Sequence, residues 1–345
     1  MISENAARLR PSGAGRRLAR RPGPTRGIAA VAAAALVFAV AACGSSGTGT
    51  NTGTGASSGA PSASSSSSFP VTLTASNGKV TLDAEPKRIV SLSPTATEDL
   101  FQVGAGGQVV AVDDDSDYPR GAPVTKLSGL DPDAEAVIGY NPDLVVVEAD
   151  ADGLLTALAK VHVPVLVEPA AATLTDAYAE IDQIGQATGH LAKARQTVAS
   201  MKTAIDGYVK QAGSGRGTLS YYWELSANPF YSATSSTFIG QIVGLFGLKN
   251  IADAADKASD GGYPELSEEY IVAAQPQIVF LADNEAADGG QAPSAVAARP
   301  GWSAIPAVKG GEIIPLNDDV ASRWGPRLPQ MVQQIAQAVE QVRGS

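Results

Sequence analysis

Few side chains in this chain are placed to do chemistry. The run Asp113-Asp114-Asp115-Ser116-Asp117 sets carboxylates at alternate positions, as a calcium loop does. Tyr118 stands where such a loop needs glycine for its sharp turn, however, and no glutamate closes it. The run is read as a solvated loop. The two histidines, His162 and His190, fall at a helix end before a strand and inside a long helical stretch. Neither belongs to a cluster that could hold zinc or manganese, and both are read as surface or capping residues, with no metal site. Gly104-Ala105-Gly106-Gly107 lacks the third glycine of a dinucleotide fingerprint and follows a helix, so it reads as a helix stop. Outside the Gly/Ser/Thr-rich stretch 44–68, where Gly55–Gly59 fits the spacing with no strand or helix signal beside it, no Gly-x-Ser-x-Gly elbow is present; there is no Walker A sequence, and the single cysteine is Cys43. Covalent hydrolysis has no nucleophile here, no catalytic residue or cofactor is expected, and the chain is read as a protein that binds, not an enzyme.

The elements that position these residues follow an α/β rhythm. Val71–Leu82 reads as a hairpin turning at Asn77-Gly78. Arg88–Leu92 reads as a buried strand, followed by a helix opened by Ser93-Pro94 and stopped at Gly104. Strands at Val109–Val112, Leu144–Val147 and Val165–Val167 alternate with helices at Asp133–Tyr140 and Leu154–Val161, the pattern of a parallel sheet. From Leu174 to about Gln211, Ile181, Ile184, Leu191, Val198, Met201, Ile205 and Tyr208 recur at helical spacing. The spacing predicts one amphipathic helix of about 35 residues, roughly 50 Å long, loosened at Gly185 and Gly189. Beyond Gly213-Ser214-Gly215 the rhythm restarts with strands at Leu219–Trp223, Ile278–Leu281 and Glu312–Pro315. Helices are expected at Thr237–Phe246, Ser267–Ala274 and from Arg327 onward.

The halves share an element. Ala134-Glu135 leads to Asn141-Pro142-Asp143-Leu144-Val145, and Glu268-Glu269 leads to Gln275-Pro276-Gln277-Ile278-Val279. Each has a glutamate seven residues before a proline that ends a helix and enters a buried strand. Two pseudo-symmetric lobes would thus each present one glutamate at an equivalent place.

The first 26 residues carry seven arginines against Glu4, and an apolar run, Ile28–Ala42, follows. That is a secretory leader, too short in its apolar part for a stable bilayer span. Val40-Ala41-Ala42-Cys43-Gly44 resembles the bacterial lipoprotein signal, which makes Cys43 the expected lipidation site; with one cysteine no intrachain disulfide forms. Gly44–Ser68 is almost wholly Gly, Ser, Thr and Ala, a flexible tether. The expected organisation is a signal peptide over residues 1–42, a tether over 43–69, an N-terminal lobe over 70–173, a spine helix over 174–212 and a C-terminal lobe over 213–345. At 44% hydrophobic and 17% charged the chain is globular. Removing a leader that contributes +6 from a net −10 leaves −16, which excludes nucleic acid as a partner. The Arg16-Arg17 pair leaves the export route, general secretory or twin-arginine, open.

Taken in order, Arg88–Glu98 (RIVSLSPTATE), Ser116-Asp117-Tyr118-Pro119, the two helix–proline–strand repeats and Ser322-Arg323-Trp324-Gly325-Pro326-Arg327 resemble the iron-siderophore/vitamin B12 class of periplasmic binding proteins. The similarity spans about residues 86–343. It implies an α/β fold with two Rossmann-like lobes joined by a rigid helix, a ligand cleft between them, and small closure on binding. It also implies that Glu135 and Glu269 meet arginine pockets on the permease of an ABC importer driven by a cytoplasmic ATPase; carboxylate and guanidinium pair directionally, and two distant pairs fix orientation. Matching positions nominate Tyr118, Trp223, Tyr231, Tyr263, Arg323 and Trp324 for the ligand, about half of them in contact with it. Aromatic rings suit a large conjugated chelate, and Arg323 or Arg327 could pair with an anionic one. Trp223 and Tyr222 alternate on a strand, so one of them belongs to the core. The expected protein is a monomeric, extracytoplasmic lipoprotein held at the cell membrane, carrying a ferric siderophore ahead of cobalamin or haem. Rival readings are a lipid-anchored enzyme using the same cleft, and a tethered sensor or adhesion module that feeds no permease.

Overall fold

A computed structural model describes residues 69–213, 219–284 and 291–344. The leader, Cys43 and the tether up to residue 68 lie outside the described residues.

The chain enters through β1 (Val71–Ala75) and β2 (Gly78–Leu82), an antiparallel hairpin with alternating buried and exposed residues. Gly78, at φ 108°, pairs with Ala75, so the unpaired turn residues are Ser76 and Asn77, one position earlier than expected. That turn has a job: Ser76 Oγ and Asn77 Nδ2 donate to the carbonyls of Val167 and Val165, 2.9 Å each, covering the edge of the neighbouring sheet.

That sheet belongs to the N-terminal lobe. It comprises β3 (Ile89–Leu92), α1 (Pro94–Gln102), β4 (Val109–Val112), α2 (Ala134–Ile138), β5 (Leu144–Val147), α3 (Leu154–Lys160) and β6 (Val165–Val167). Ser93 caps α1 by accepting from the Ala96 amide, Pro94 takes the first turn, and Gly104, at φ 99°, stops the chain beyond it. The strands pair in parallel in the order β4-β3-β5-β6. β3, β5 and β6 are buried along their whole length, as parallel strands covered on both faces must be.

The expected single spine helix is two helices, α4 (Leu174–Ala187) and α5 (Leu191–Ala212). Gly189 adopts φ 82° and the chain folds back at Thr188–His190. The helices then pack so closely that a Cβ at Gly185 would lie 2.3 Å from Ala194 Cβ. The apolar spacing runs through the break because both helices bury the same stripe, which is why it reads as continuous. α5 alone leads from one lobe to the other, and its 22 residues extend about 33 Å, not 50 Å.

The C-terminal lobe repeats the first. After β7 (Ser220–Glu224) come β8 (Ser226–Ala227), β9 (Phe230–Tyr231), α6 (Phe238–Gly244), β10 (Lys249–Asn250), β11 (Glu265–Leu266), α7 (Glu268–Ala274) and β12 (Ile278–Leu281). Then follow α8 (Pro293–Ala297), α9 (Pro306–Gly310), β13 (Ile313–Pro315), α10 (Asp318–Ser322) and α11 (Leu328–Gly344). Its parallel sheet runs β10-β7-β12-β13, and β8, β9 and β11 form a small antiparallel sheet beside it. In both lobes the first strand pairs with the second on one side and the third on the other.

One face of each sheet contributes to a single continuous core. Leu144 and Val146 of the first sheet, Trp223 and Phe280 of the second, and Ile181, Ile205 and Ile335 of the helices all belong to it. The opposite faces have separate cores around Val145 and Leu158 and around Tyr222 and Trp302. Two lobes sharing a close-packed core through α4, α5 and α11 resist large hinge motion.

Candidate functional site

An α/β sheet with strand order 2-1-3-4 binds ligands beyond the carboxyl ends of its strands, at the point where the order reverses. Here those points lie between β3 and β5 and between β7 and β12. Beyond the same carboxyl edges the segment that follows β13 and α10 meets α1, which follows β3, and the loop after β4. Arg323 donates to Glu98 Oε1 at 3.0 Å, to the Asp115 carbonyl at 3.0 Å and to Asp117 Oδ1 at 3.4 Å, all in the N-terminal lobe. It also donates to Asp319 Oδ1, one helical turn earlier, at 2.6 Å. Arg327 donates from Nε to Glu98 Oε2 at 2.7 Å and from Nη2 to Oε1, and its guanidinium stacks 4.2 Å above the Tyr118 ring. The Glu98 side chain is 1% exposed and those of Arg323 and Arg327 are 10% and 12%. Trp324 Nε1 donates to Glu180 Oε2 at 2.7 Å, and Gln241 of α6 donates to the Ala172 carbonyl beyond β6 at 2.9 Å.

Carboxyl groups crowd the N-terminal side of this junction. Burial, reinforced by the charge of Glu180, pushes Glu168 up to about 9. Burial raises Glu180 to about 8 against the pull of the Trp324 hydrogen bond. Asp99 is raised by burial and by Glu180, Glu98 and Glu168. Across the junction burial takes Asp283 to about 7, helped by Glu224. Each of these acids holds its proton more tightly folded than unfolded, so the folded state binds more protons above about pH 4, and stability falls as pH rises through the folded values. The melting temperature should therefore be lower at about pH 9 than at about pH 5, and Glu180→Gln should flatten the slope. A melting temperature that rises over that range would contradict the assignment.

Of the residues nominated from sequence, Tyr118, Arg323 and Trp324 come together at the junction, with Tyr118 42% exposed. Tyr231 and Tyr263 are half-buried, Tyr231 on β9 beside β11 and Tyr263 with its ring against the main core. Trp223 is not at the site. It is 0% exposed, packed 5.6 Å from Phe280 in the core, and Tyr222 on the opposite face is equally buried. Parallel strands bury both faces, so alternation on β7 did not leave one ring outward. Asp113 likewise departs from the expected solvated loop. It is buried beside Gly129 and raised to about 6 by burial, while Asp114 and Asp117 are exposed. His190 precedes α5, with Nδ1 2.8 Å from the Thr188 carbonyl, and His162 is exposed.

Glu135 and Glu269 occupy matched places. Each is the second residue of a short helix, α2 or α7, capped by Asp133 or Ser267, and each helix precedes the third strand of its sheet. Both are exposed. In a parallel sheet the helix leading into a strand begins near the strands' carboxyl ends, so both glutamates lie toward the edge that carries the junction.

Sequence reasoning gave no role to Glu98, Glu180 or Asp319. Glu98 lies 225 residues from Arg323, and no local pattern signals such a pairing. It also missed the buried pair in which Arg299 holds both Glu224 oxygens at 2.6 and 2.7 Å, with its guanidinium over the adjacent rings of Phe230 and Trp302.

Residues 89–320 match the family model described as periplasmic binding protein. A Bacillus subtilis protein named as an uncharacterized ABC transporter substrate-binding lipoprotein, YvrC, is 33% identical over 79% of this chain and 86% of its own length. A Halobacterium salinarum protein named cobalamin-binding protein is 31% identical over 78% of this chain and 74% of its own. Among solved structures, the periplasmic heme-binding protein RhuT from Roseiflexus sp. RS-1 aligns with a TM-score of 0.65 at 24% identity, covering 74% of this chain and 99% of that one. The vitamin B12 binding protein BtuF of Vibrio cholerae aligns with a TM-score of 0.62 at 22% identity, covering 75% and 98%. The chain belongs to the periplasmic binding protein family, in its iron-siderophore/vitamin B12 class of ABC-importer substrate-binding proteins, and its relatives are transport proteins, not enzymes.

Proposed function

We propose that this protein captures a metal chelate of the cobalamin, haem or ferric siderophore type in the interlobe cleft and delivers it to an ABC permease by docking through Glu135 and Glu269. The observation that carries the reading is the junction beyond the carboxyl edges of the two sheets, where Tyr118, after β4, and Trp324, after β13, offer aromatic surface between sheets of identical strand order. Beside the ferric siderophore placed first by sequence we set a corrinoid, a reading supported by the Halobacterium salinarum relative named for cobalamin. Cys43 carries the lipid that holds the protein, as a monomer, outside the membrane within reach of the permease. The ATPase that drives release is a separate chain.

Trp324 supplies the test, because its indole is hydrogen-bonded at the cleft. Titrating the full chain in detergent with cyanocobalamin, haem and a ferric hydroxamate should give saturable quenching of tryptophan emission by one of them. Cys43→Ser should bind equally but wash free of membranes. Silence toward all three ligands sinks chelate capture; retention of the cysteine variant at the membrane sinks the lipid anchor.

A further inference from the structure

Resting on the chelate-binding reading above, we infer that the cleft selects a ligand without net negative charge, held by apolar and hydrogen-bonding contacts and not by ion pairing with arginine. The sequence suggested the opposite, that Arg323 or Arg327 would meet an anionic chelate. In the structure both guanidinium groups are already committed.

The junction holds two cations, Arg323 and Arg327, against three carboxyl groups, Glu98, Asp117 and Asp319. Glu98 accepts from both arginines, and Arg323 has three further acceptors, among them a backbone carbonyl. A guanidinium has five N–H donors; Arg323 spends four inside the protein, and Arg327 spends two, both on Glu98, with the Tyr118 ring over its face. At the carboxyl end of β7 Arg299 is held by Glu224 in a bidentate pair and roofed by two rings. An incoming carboxylate or catecholate would meet an excess of carboxyl groups over arginines at the junction and would compete with the buried Glu98 for both cations there.

The surroundings point the same way. Glu148, Glu168 and Asp283 follow the carboxyl ends of β5, β6 and β12. Glu180 lies with Glu148 and Glu168 on the N-terminal side and accepts from Trp324 across the junction. Burial raises all four, and the protonated forms favoured at neutral pH for Glu168 and Glu180 add hydroxyl donors, not positive charge. Neutral hydroxyl donors of this kind suit amides and hydroxamates, while the carboxyl excess of Glu98, Asp117 and Asp319 over Arg323 and Arg327 disfavours an anion and favours an ammonium group. Arg120, exposed two residues beyond Tyr118, enters no ion pair among the described residues and is the cation to control for.

The test compares chelates matched in size and metal but not in charge, by calorimetric titration of the full chain in detergent. One pair is cyanocobalamin and the polycarboxylate obtained by hydrolysing its peripheral amides. The other is ferrioxamine B, a ferric hydroxamate with a pendant ammonium group, and its N-succinylated, carboxylate-ended form. The amide or ammonium member of the pair that binds should be at least about tenfold tighter. Asp319→Asn, which removes one of three carboxyl groups while leaving both arginines paired to Glu98, should narrow that gap. Equal or tighter binding of the carboxylate member overturns the charge selection, as does a gap unchanged by Asp319→Asn. A loss of carboxylate binding on Arg120→Ala overturns it too, by identifying a cation that reads an anion. No binding of any member overturns chelate capture itself, a distinct result from a reversed preference.

Discussion

Reversing both exposed glutamates, Glu135→Lys with Glu269→Lys, should abolish ligand uptake by whole cells while the purified protein keeps its affinity within about twofold. The two residues sit at the second position of equivalent short helices, capped and exposed, with no partner of their own lobe required to explain them. Reversal makes each docking contact repulsive where it was attractive, and like charges brought together at an interface cost several kcal/mol. Two such contacts, one per lobe, compound. Each single reversal should give a partial defect, because one correct contact still aligns one lobe on the permease. Neither variant should alter folding, since both side chains are solvated and helix N-termini lose only a few tenths of a kcal/mol when an acid is replaced. Radiolabelled ligand uptake in cells expressing the double variant, beside titration of the same protein, separates transport from binding. Normal uptake by the double variant would remove the docking role and favour a sensor that feeds no permease.

The second large effect is expected at Glu98. Its side chain is essentially inaccessible and accepts from Arg323 and Arg327, which come from the far end of the chain. Glu98→Ala leaves two guanidinium groups near the junction without their shared counter-charge. Breaking a buried ion pair from one side costs about 3–5 kcal/mol, and for a body of this size that lowers the melting temperature by roughly 10 °C. Replacing all three, Glu98→Leu with Arg323→Met and Arg327→Met, should restore much of the loss, because apolar substitution removes the desolvation penalty along with the attraction. Scanning calorimetry of the three proteins decides the matter. A fall below about 1 kcal/mol in the single variant would mean that water reaches the arginines and that the cluster does not bind the lobes together.

That cluster explains why the two lobes act as one body. α5 carries the chain across, but the shared apolar core and the Glu98, Glu180 and Ala172 contacts across the junction hold the lobes in register.

Much of this was legible in the residues themselves. Strand runs such as Leu144–Val147 and Ile278–Leu281 are short, apolar throughout and each preceded two residues earlier by a proline, and they fold at those positions. The matched glutamate-to-proline spacing announced two equivalent lobes because the same local rules, a capped helix ended by proline and followed by a buried strand, operate twice. Periodicity could not reveal the turn at Thr188–His190, since two helices burying one stripe preserve the spacing that one helix would show. Nor could it assign Trp223, because whether a strand has one covered face or two depends on what packs against it. The pairing of Glu98 with arginines more than two hundred residues away was decided by the tertiary structure alone. So was the pairing of Arg323: an arginine in a sequence is a cation, and only its neighbours in space determine how much of that charge is already met by carboxyl groups.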